Sequence, residues 1–117
     1  QPHIVQGKTK TWIKNIFSKE TTKTIKEDLI NVIADEKGTG HSIYHDNVTL
    51  AGKTGTAEIK QSQSDTSGTE LGWFTVMTID EKQPLLITTM VEDVKNRGGS
   101  GYVVEHTKTP LDLYLSK

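Results

Sequence analysis

The chain has 117 residues and no cysteine, and its 14 basic and 15 acidic residues give a formal net charge of −1. These counts exclude disulfides, thiolate metal sites and a cysteine nucleophile, and the lack of a basic stripe argues against nucleic acid as a partner. The hydrophobic fraction of 32% is low even when glycine is counted, which favours a polypeptide that completes its core against further chain.

An amphipathic helix is the first element that the sequence predicts. Ser18 is a favourable N-cap, and four apolar residues then recur at helical spacing: Ile25, Leu29, Val32 and Ile33. We expect a helix over about 19–37, ended by the glycines of Gly38-Thr39-Gly40.

The next segment, 41–47, is predicted to be a solvated loop because polar and turn-forming residues dominate it. His41 and His45 are four residues apart, a spacing that suits a metal ion only when both histidines lie on a helix. The predicted loop therefore implies no metal site.

Three β-strands are predicted next, because β-branched and aromatic residues are concentrated in 48–59, 70–79 and 85–91. Their connections are short, so the strands should form an antiparallel meander, since parallel pairing needs a crossover of a dozen or more residues. Gly98–Gly101 breaks the chain again. A closing helix is expected over 102–115, with Pro110 as a kink or a restart.

The first predicted strand carries the hexapeptide Gly52-Lys53-Thr54-Gly55-Thr56-Ala57. A Lys-Thr-Gly tripeptide is one of three signatures of serine β-lactamases and penicillin-binding proteins. Alone it is a weak signal, and an exposed lysine on a glycine-containing strand is the plain alternative. Here it opens a meander, follows a helix that ends in Gly-Thr-Gly, and precedes Gly72-Trp73-Phe74 on the next strand. This order favours a functional motif.

With these residues the chain resembles the C-terminal part of a penicillin-binding protein transpeptidase domain, and most of all the low-affinity class B type of Gram-positive bacteria. The resemblance also extends over Trp12–Glu20, Gly52–Ile59, Glu70–Phe74, Val91–Lys95 and the glycine-rich start of the last helix. It implies an α+β fold in which the meander supplies three strands of a larger five-stranded sheet. An amphipathic helix precedes the meander and a C-terminal helix packs on it. Residues 1–117 would be an incomplete, C-terminal portion of this penicillin-binding/β-lactamase-like fold.

The resemblance also assigns roles to the motif. Lys53 would place a positive charge beside the serine of the family's middle motif, and the hydroxyls of Thr54 and Thr56 would bind the carboxylate of a D-alanyl-D-alanine stem peptide or of a β-lactam. The backbone N–H of Thr56 would be one of two oxyanion-hole donors, each worth roughly 2.7–4 kcal/mol in a serine hydrolase. Gly55 would leave room for the substrate backbone.

Two further residues are candidates for the wall of a cleft. Glu58 lies two residues after Thr56 and hence on the same face of a regular strand, although an exposed charge is the plainer interpretation. Trp73 and its neighbour Phe74 are expected to pack in the core or against the cleft rather than to take part in catalysis.

The two companion motifs of the family are missing from the chain. No serine is followed by lysine at the third position or by asparagine at the second, so both the nucleophile with its lysine and the middle motif lie elsewhere. We expect the chain to be a piece of a larger transpeptidase that relies on the remainder of the domain. Alone it should neither react with penicillin nor crosslink peptide, and it needs no metal or other cofactor.

Two other functions remain open at this level. A β-lactam-sensing receptor domain has the same fold and a Lys-Thr-Gly strand, but the 91–101 segment looks more like the enzymes. A non-catalytic module could instead bind peptide or glycan by pairing at a strand edge. By resemblance, the protein should act on the outer face of the bacterial cytoplasmic membrane, with an anchor that is not in this chain.

Overall fold

The structure is a computed structural model that describes Thr11 and residues 13–80 and 82–116. Within these residues, two helices pack against one face of a three-stranded antiparallel sheet of order β1-β2-β3. The elements in chain order are α1 (Lys19–Ala34), a short 3₁₀ helix (His41–Ile43), β1 (Leu50–Glu58), β2 (Glu70–Thr78), β3 (Leu86–Val91) and α2 (Ser100–Leu115). The predicted α+β fold with an antiparallel meander is confirmed.

Helix α1 begins where the sequence predicts and ends earlier. The Ser18 hydroxyl accepts a hydrogen bond from the Thr21 N–H at 3.0 Å, as an N-cap should. The prediction that the helix reaches residue 37 is wrong, because Asp35 is extended and its carboxylate accepts the Lys37 N–H at 2.8 Å. This local bond offers the backbone an alternative to another helical turn.

The segment after α1 is more ordered than the predicted solvated loop. Ile43 is fully buried in the core, which explains why a 3₁₀ turn forms there. His41 lies 2.9 Å from the Ile33 carbonyl oxygen through Nδ1, and His45 Nε2 lies 2.9 Å from the Asp112 carboxylate. No group of three or more potential ligands in the described part of the chain is placed to hold a metal ion.

Both helices pack on the same face of the sheet. A Cβ atom built on Gly52 would meet Ile33 of α1, and one built on Gly72 would meet Val103 of α2. Because side chains alternate along a strand, this face also carries the buried residues Phe74 and Val76. Other core residues join them from the helices and loops: Ile43, Leu50, Val94, Val104 and Leu111.

The opposite face of the sheet remains open. Its apolar side chains are exposed to different degrees: Trp73 by 41%, Met90 by 42% and Leu86 by 65%. Among the described residues, neither α1 nor α2 has the length and apolar content needed to cross a membrane.

Helix α2 starts at Ser100, two residues before the predicted start, and follows a turn in which Gly98 and Gly99 have positive φ values of 101° and 60°. It then runs without interruption through Pro110 to Leu115, so the proline does not restart the helix. Thr107 and Leu111 are fully buried on either side of Pro110. Their packing on the sheet holds the helix together where the proline removes a backbone donor.

Candidate functional site

The Lys-Thr-Gly motif lies on β1, which is an edge strand of the sheet that the described residues form. Two hydrogen bonds fix the direction of its backbone groups: the Ile79 N–H donates to the Thr49 oxygen, and the Ile59 N–H donates to the Thr69 oxygen, both at 2.9 Å. Since hydrogen-bonded and non-hydrogen-bonded pairs alternate in an antiparallel ladder, odd-numbered residues of β1 bond to β2. The N–H and C=O groups of Thr54 and Thr56 therefore point away from β2, off the free edge.

Lys53 brings its charge to this free edge. Its Nζ atom donates a hydrogen bond to the Thr54 carbonyl oxygen at 2.7 Å, and its side chain is exposed. None of the ion pairs within the described residues involves Lys53. The ammonium group is thus positioned beside the outward-pointing backbone of β1, where it can attract an anion.

The hydroxyl groups of the motif lie on the other face of β1, toward the helices. The Thr54 hydroxyl lies 3.0 Å from the hydroxyl of Thr39. A Cβ atom built on Gly99 would lie 3.9 Å from the Thr56 hydroxyl oxygen. The Gly38-Thr39-Gly40 turn therefore lies next to Thr54, and the start of α2 lies next to Thr56.

Sequence reasoning did not identify Thr39 or Gly99 as neighbours of the motif. Both lie in glycine-rich segments, which in the sequence indicate only the boundaries of helices. The signal that could have found Thr39 is its position between two glycines, because a hydroxyl on a tight turn after a helix is easily directed toward a neighbouring strand.

Gly55 and Trp73 share the open face of the sheet with Lys53. They are partners in the register of β1 and β2, and Trp73 is too exposed to be a core residue. Its neighbour Phe74 is fully buried, so the expected core packing holds for Phe74 alone. A side chain on the face of Lys53 and next to Gly55 remains a candidate for the wall of a cleft.

Glu58 belongs to a different environment. Its carboxylate forms an ion pair with Lys60, and both residues line a cavity of about 190 Å³ together with Asp65 and Lys95. The pKa of Asp65 is lowered to about 2, first by the hydrogen bond from the Ser67 hydroxyl and then by backbone N–H donors. The Glu58 carboxylate is therefore engaged by a residue of the β1–β2 loop.

A larger cavity, of about 270 Å³, lies away from the motif. It is formed by the C-terminal half of α1 and the segment that leads into β1, and its lining includes Ile30, Ile33, His45 and Val48. The motif residues do not line it. The candidate site is therefore separate from this cavity and lies along the edge of β1 in the sheet that the described residues form.

Comparison with known proteins identifies the family. The family described as "Penicillin binding protein transpeptidase domain" matches residues 1–109. Penicillin-binding protein 3 of Bacillus subtilis (strain 168) is 40% identical to the chain over 111 residues, which cover 92% of the chain and 16% of that protein. The chain thus spans about a sixth of the length of this relative. It belongs to the penicillin-binding protein transpeptidase family.

Proposed function

We propose that this chain is the Lys-Thr-Gly portion of a D,D-transpeptidase, which crosslinks peptidoglycan stem peptides by serine acyl transfer and is acylated by β-lactams. The longer polypeptide is here called the parent protein. The observation that carries the proposal is that the Thr56 N–H points off the same free edge of β1 as the Thr54 carbonyl group, which accepts a hydrogen bond from the Lys53 ammonium group. An unobstructed backbone donor beside a cation is what an acyl-transfer site needs for a tetrahedral oxyanion.

The chemistry divides between this chain and the rest of the parent protein. The nucleophilic serine and the lysine that activates it lie outside this chain, since no serine here has the required spacing. Lys53 adds positive charge next to the attacking group, and the hydroxyls of Thr54 and Thr56 hold the terminal carboxylate of the stem peptide or the β-lactam. The Thr56 N–H stabilises the oxyanion that forms as the serine attacks.

These roles define the partners and the place of action. The substrate is a stem peptide that ends in D-alanyl-D-alanine, and β-lactams compete for the same edge of β1. The parent protein would act on the outer face of the bacterial cytoplasmic membrane, where peptidoglycan is assembled. The isolated chain should give no covalent adduct with labelled penicillin, and such an adduct would contradict the proposal.

Two substitutions at one position test the oxyanion role. Thr56→Pro removes the N–H at a position where β1 makes no bond to β2, so the strand can accept a proline at its edge. Thr56→Ala removes the hydroxyl but keeps the N–H. In the parent protein, we expect Thr56→Pro to lower the rate of acylation by fluorescent penicillin about 10²- to 10³-fold, and Thr56→Ala to lower it much less. Equal rates for the two folded variants would refute the assignment.

A further inference from the structure

The hydroxyl groups of Thr39 and Thr54 face each other at 3.0 Å, although 15 residues separate them in the chain. Thr54 is half-buried at the edge of β1 and Thr39 is exposed in the turn after α1. The contact therefore joins the motif strand to a separate element of the fold.

The turn that carries Thr39 is closely packed against the end of α1. The Gly40 N–H donates to the Val32 carbonyl oxygen at 2.9 Å, and the Gly38 N–H donates to the Asp35 oxygen at 2.8 Å. A Cβ atom on Gly38 would lie 2.3 Å from the Val32 oxygen, and one on Gly40 would lie 3.2 Å from Ile33. The glycines on both sides thus allow a close approach that fixes the position of Thr39.

Helix α1 is in turn fixed on β1. A Cβ atom on Gly52 would lie 3.1 Å from Ile33 Cδ1, and Ile33 itself is buried in the core. The position of the Thr39 hydroxyl relative to β1 is therefore set by core packing and does not depend on the Thr39 side chain alone.

The direction of the hydrogen bond between Thr39 and Thr54 follows from the number of protons on the two hydroxyls. Each threonine hydroxyl donates one hydrogen bond, and an ionised carboxylate only accepts. When the Thr54 hydroxyl donates to a carboxylate, its single proton is used, and its oxygen remains free as an acceptor. The bond at 3.0 Å must then run from Thr39 to Thr54. Such a chain of donors also polarises the second hydroxyl toward the anion.

We propose that Thr39 is a positioning residue for carboxylate recognition: it donates to Thr54 and so directs the Thr54 proton toward the substrate. This inference rests on the proposed function, which assigns Thr54 to the carboxylate. Thr39 does not touch the substrate, and its contribution passes through Thr54.

The test uses the parent protein with Thr39→Val, Thr39→Ser, Thr54→Val and the double variant Thr39→Val/Thr54→Val. Acylation by a fluorescent penicillin is followed over a range of concentrations, so that the saturation constant and the limiting rate are separated. We expect Thr39→Val to raise the saturation constant about three- to tenfold, as the loss of one hydrogen bond does, with little change in the limiting rate. Thr39→Ser should have nearly the saturation constant of the unmodified protein. The saturation constant of the double variant should be no higher than that of Thr54→Val.

A penicillin ester provides the matched control, because it lacks the anionic acceptor. Its acylation should be equally slow in the unmodified protein and in Thr39→Val. Thr39→Ala serves as a second variant without the hydroxyl if valine lowers the melting temperature.

The outcomes separate this inference from the proposed function. If Thr54→Val raises the saturation constant but Thr39→Val and Thr39→Ala leave it unchanged, the role of Thr39 is refuted while the proposed function stands. The role is also refuted if Thr39→Val raises the saturation constant by the same factor in the Thr54→Val variant as in the unmodified protein. It is refuted too if Thr39→Val affects acylation by the ester as strongly as acylation by the acid. If Thr54→Val itself has no effect, the assignment of Thr54 fails, and the role of Thr39 fails with it.

Discussion

Gly55 lies opposite Trp73 across β1 and β2, and a Cβ atom built on Gly55 would be 3.7 Å from the Trp73 Cβ. This is an ordinary van der Waals contact, so the described fold has room for a side chain at this position. Gly52 differs, because its Cβ atom would lie 2.9 Å from the Thr75 oxygen and 3.1 Å from Ile33. The fold explains the glycine at 52, whereas the glycine at 55 needs another reason.

Gly55→Ala should therefore impair acylation without impairing folding. The added methyl group has space against the protein, but it would occupy the face of β1 that carries Lys53, where the proposed substrate backbone approaches. We expect the free energy of unfolding of the parent protein to change by less than about 0.5 kcal/mol, and acylation by labelled penicillin to fall about tenfold or more. Thermal unfolding and a labelling time course measure the two effects.

Gly52→Ala is the matched control on the same strand. Its methyl group meets a backbone oxygen and the core, so overpacking should cost about 1–3 kcal/mol of stability. The molecules that remain folded should still be acylated. Normal acylation of Gly55→Ala would show that the space left by glycine at this position is not needed by the substrate.

Lys95 connects the turn before α2 with the β1–β2 loop, as its Nζ donates to the carbonyl oxygens of Thr66 and Gly68, the latter at 2.9 Å. Lys95→Met keeps most of the aliphatic side chain and removes these donors. Amide hydrogen exchange at Gln61 and Ser67 should become faster, because the loop loses its tether, while amides of β2 should keep their protection.

Lys60→Met provides the control for Lys95, since the partner of Lys60 is the exposed Glu58 side chain. Exposed ion pairs contribute little to stability, so exchange in the loop should be unchanged. Equal effects of the two substitutions would mean that the carbonyl contacts of Lys95 do not order the loop.

The elements of this fold were largely predictable because each has a strong local signal. In β2, buried and exposed residues alternate as the period of a strand requires, with Gly72, Phe74 and Val76 facing the helices. The end of α1 was missed because the bond from Asp35 to Lys37 competes locally with the helix. Such competition between near-equal local structures is difficult to resolve from a sequence pattern.

The candidate site was predictable only in part, for a different reason. The motif defines Lys53 and Thr56, but the sequence does not say which edge of β1 is free. The contact of Thr39 with Thr54 depends on how α1 docks on the sheet, which is a tertiary property. The sequence alone leaves open whether Trp73 packs in the core or on the wall of a cleft, because both faces of a strand can be apolar when further chain covers the second face.

Asp65 gives the loop a defined pH dependence. Its pKa is lowered from 3.8 to about 2, mainly by the Ser67 hydroxyl, whose oxygen lies 2.6 Å from the carboxylate. A lowered pKa stabilises the folded loop at pH values above 3.8, and this contribution is lost as the pH falls toward 2. An NMR titration of the carboxyl carbon should show a midpoint near 2 in the chain.

Ser67→Ala should raise the pKa of Asp65 toward 3.8, because the first of its donors is removed while the backbone N–H groups of Gln61 and Ser67 remain. Ser64→Ala is the control, since the Ser64 hydroxyl bonds to Ser62 and not to Asp65. A midpoint that stays the same in Ser67→Ala would exclude the hydroxyl as the main cause.

Pro110 lies inside α2 with an exposed side chain, where it supplies no N–H for the carbonyl of His106. Pro110→Ala restores this donor and favours the helical backbone, so the free energy of unfolding should increase by on the order of 1–3 kcal/mol. Chemical denaturation of the parent protein measures the change. Pro84→Ala is the control, because Pro84 lies in the turn before β3. Its replacement increases the conformational entropy of the unfolded chain, so the free energy of unfolding should not increase. A Pro110→Ala variant no more stable than the original would mean that the helix is already distorted there in a way that alanine cannot relieve.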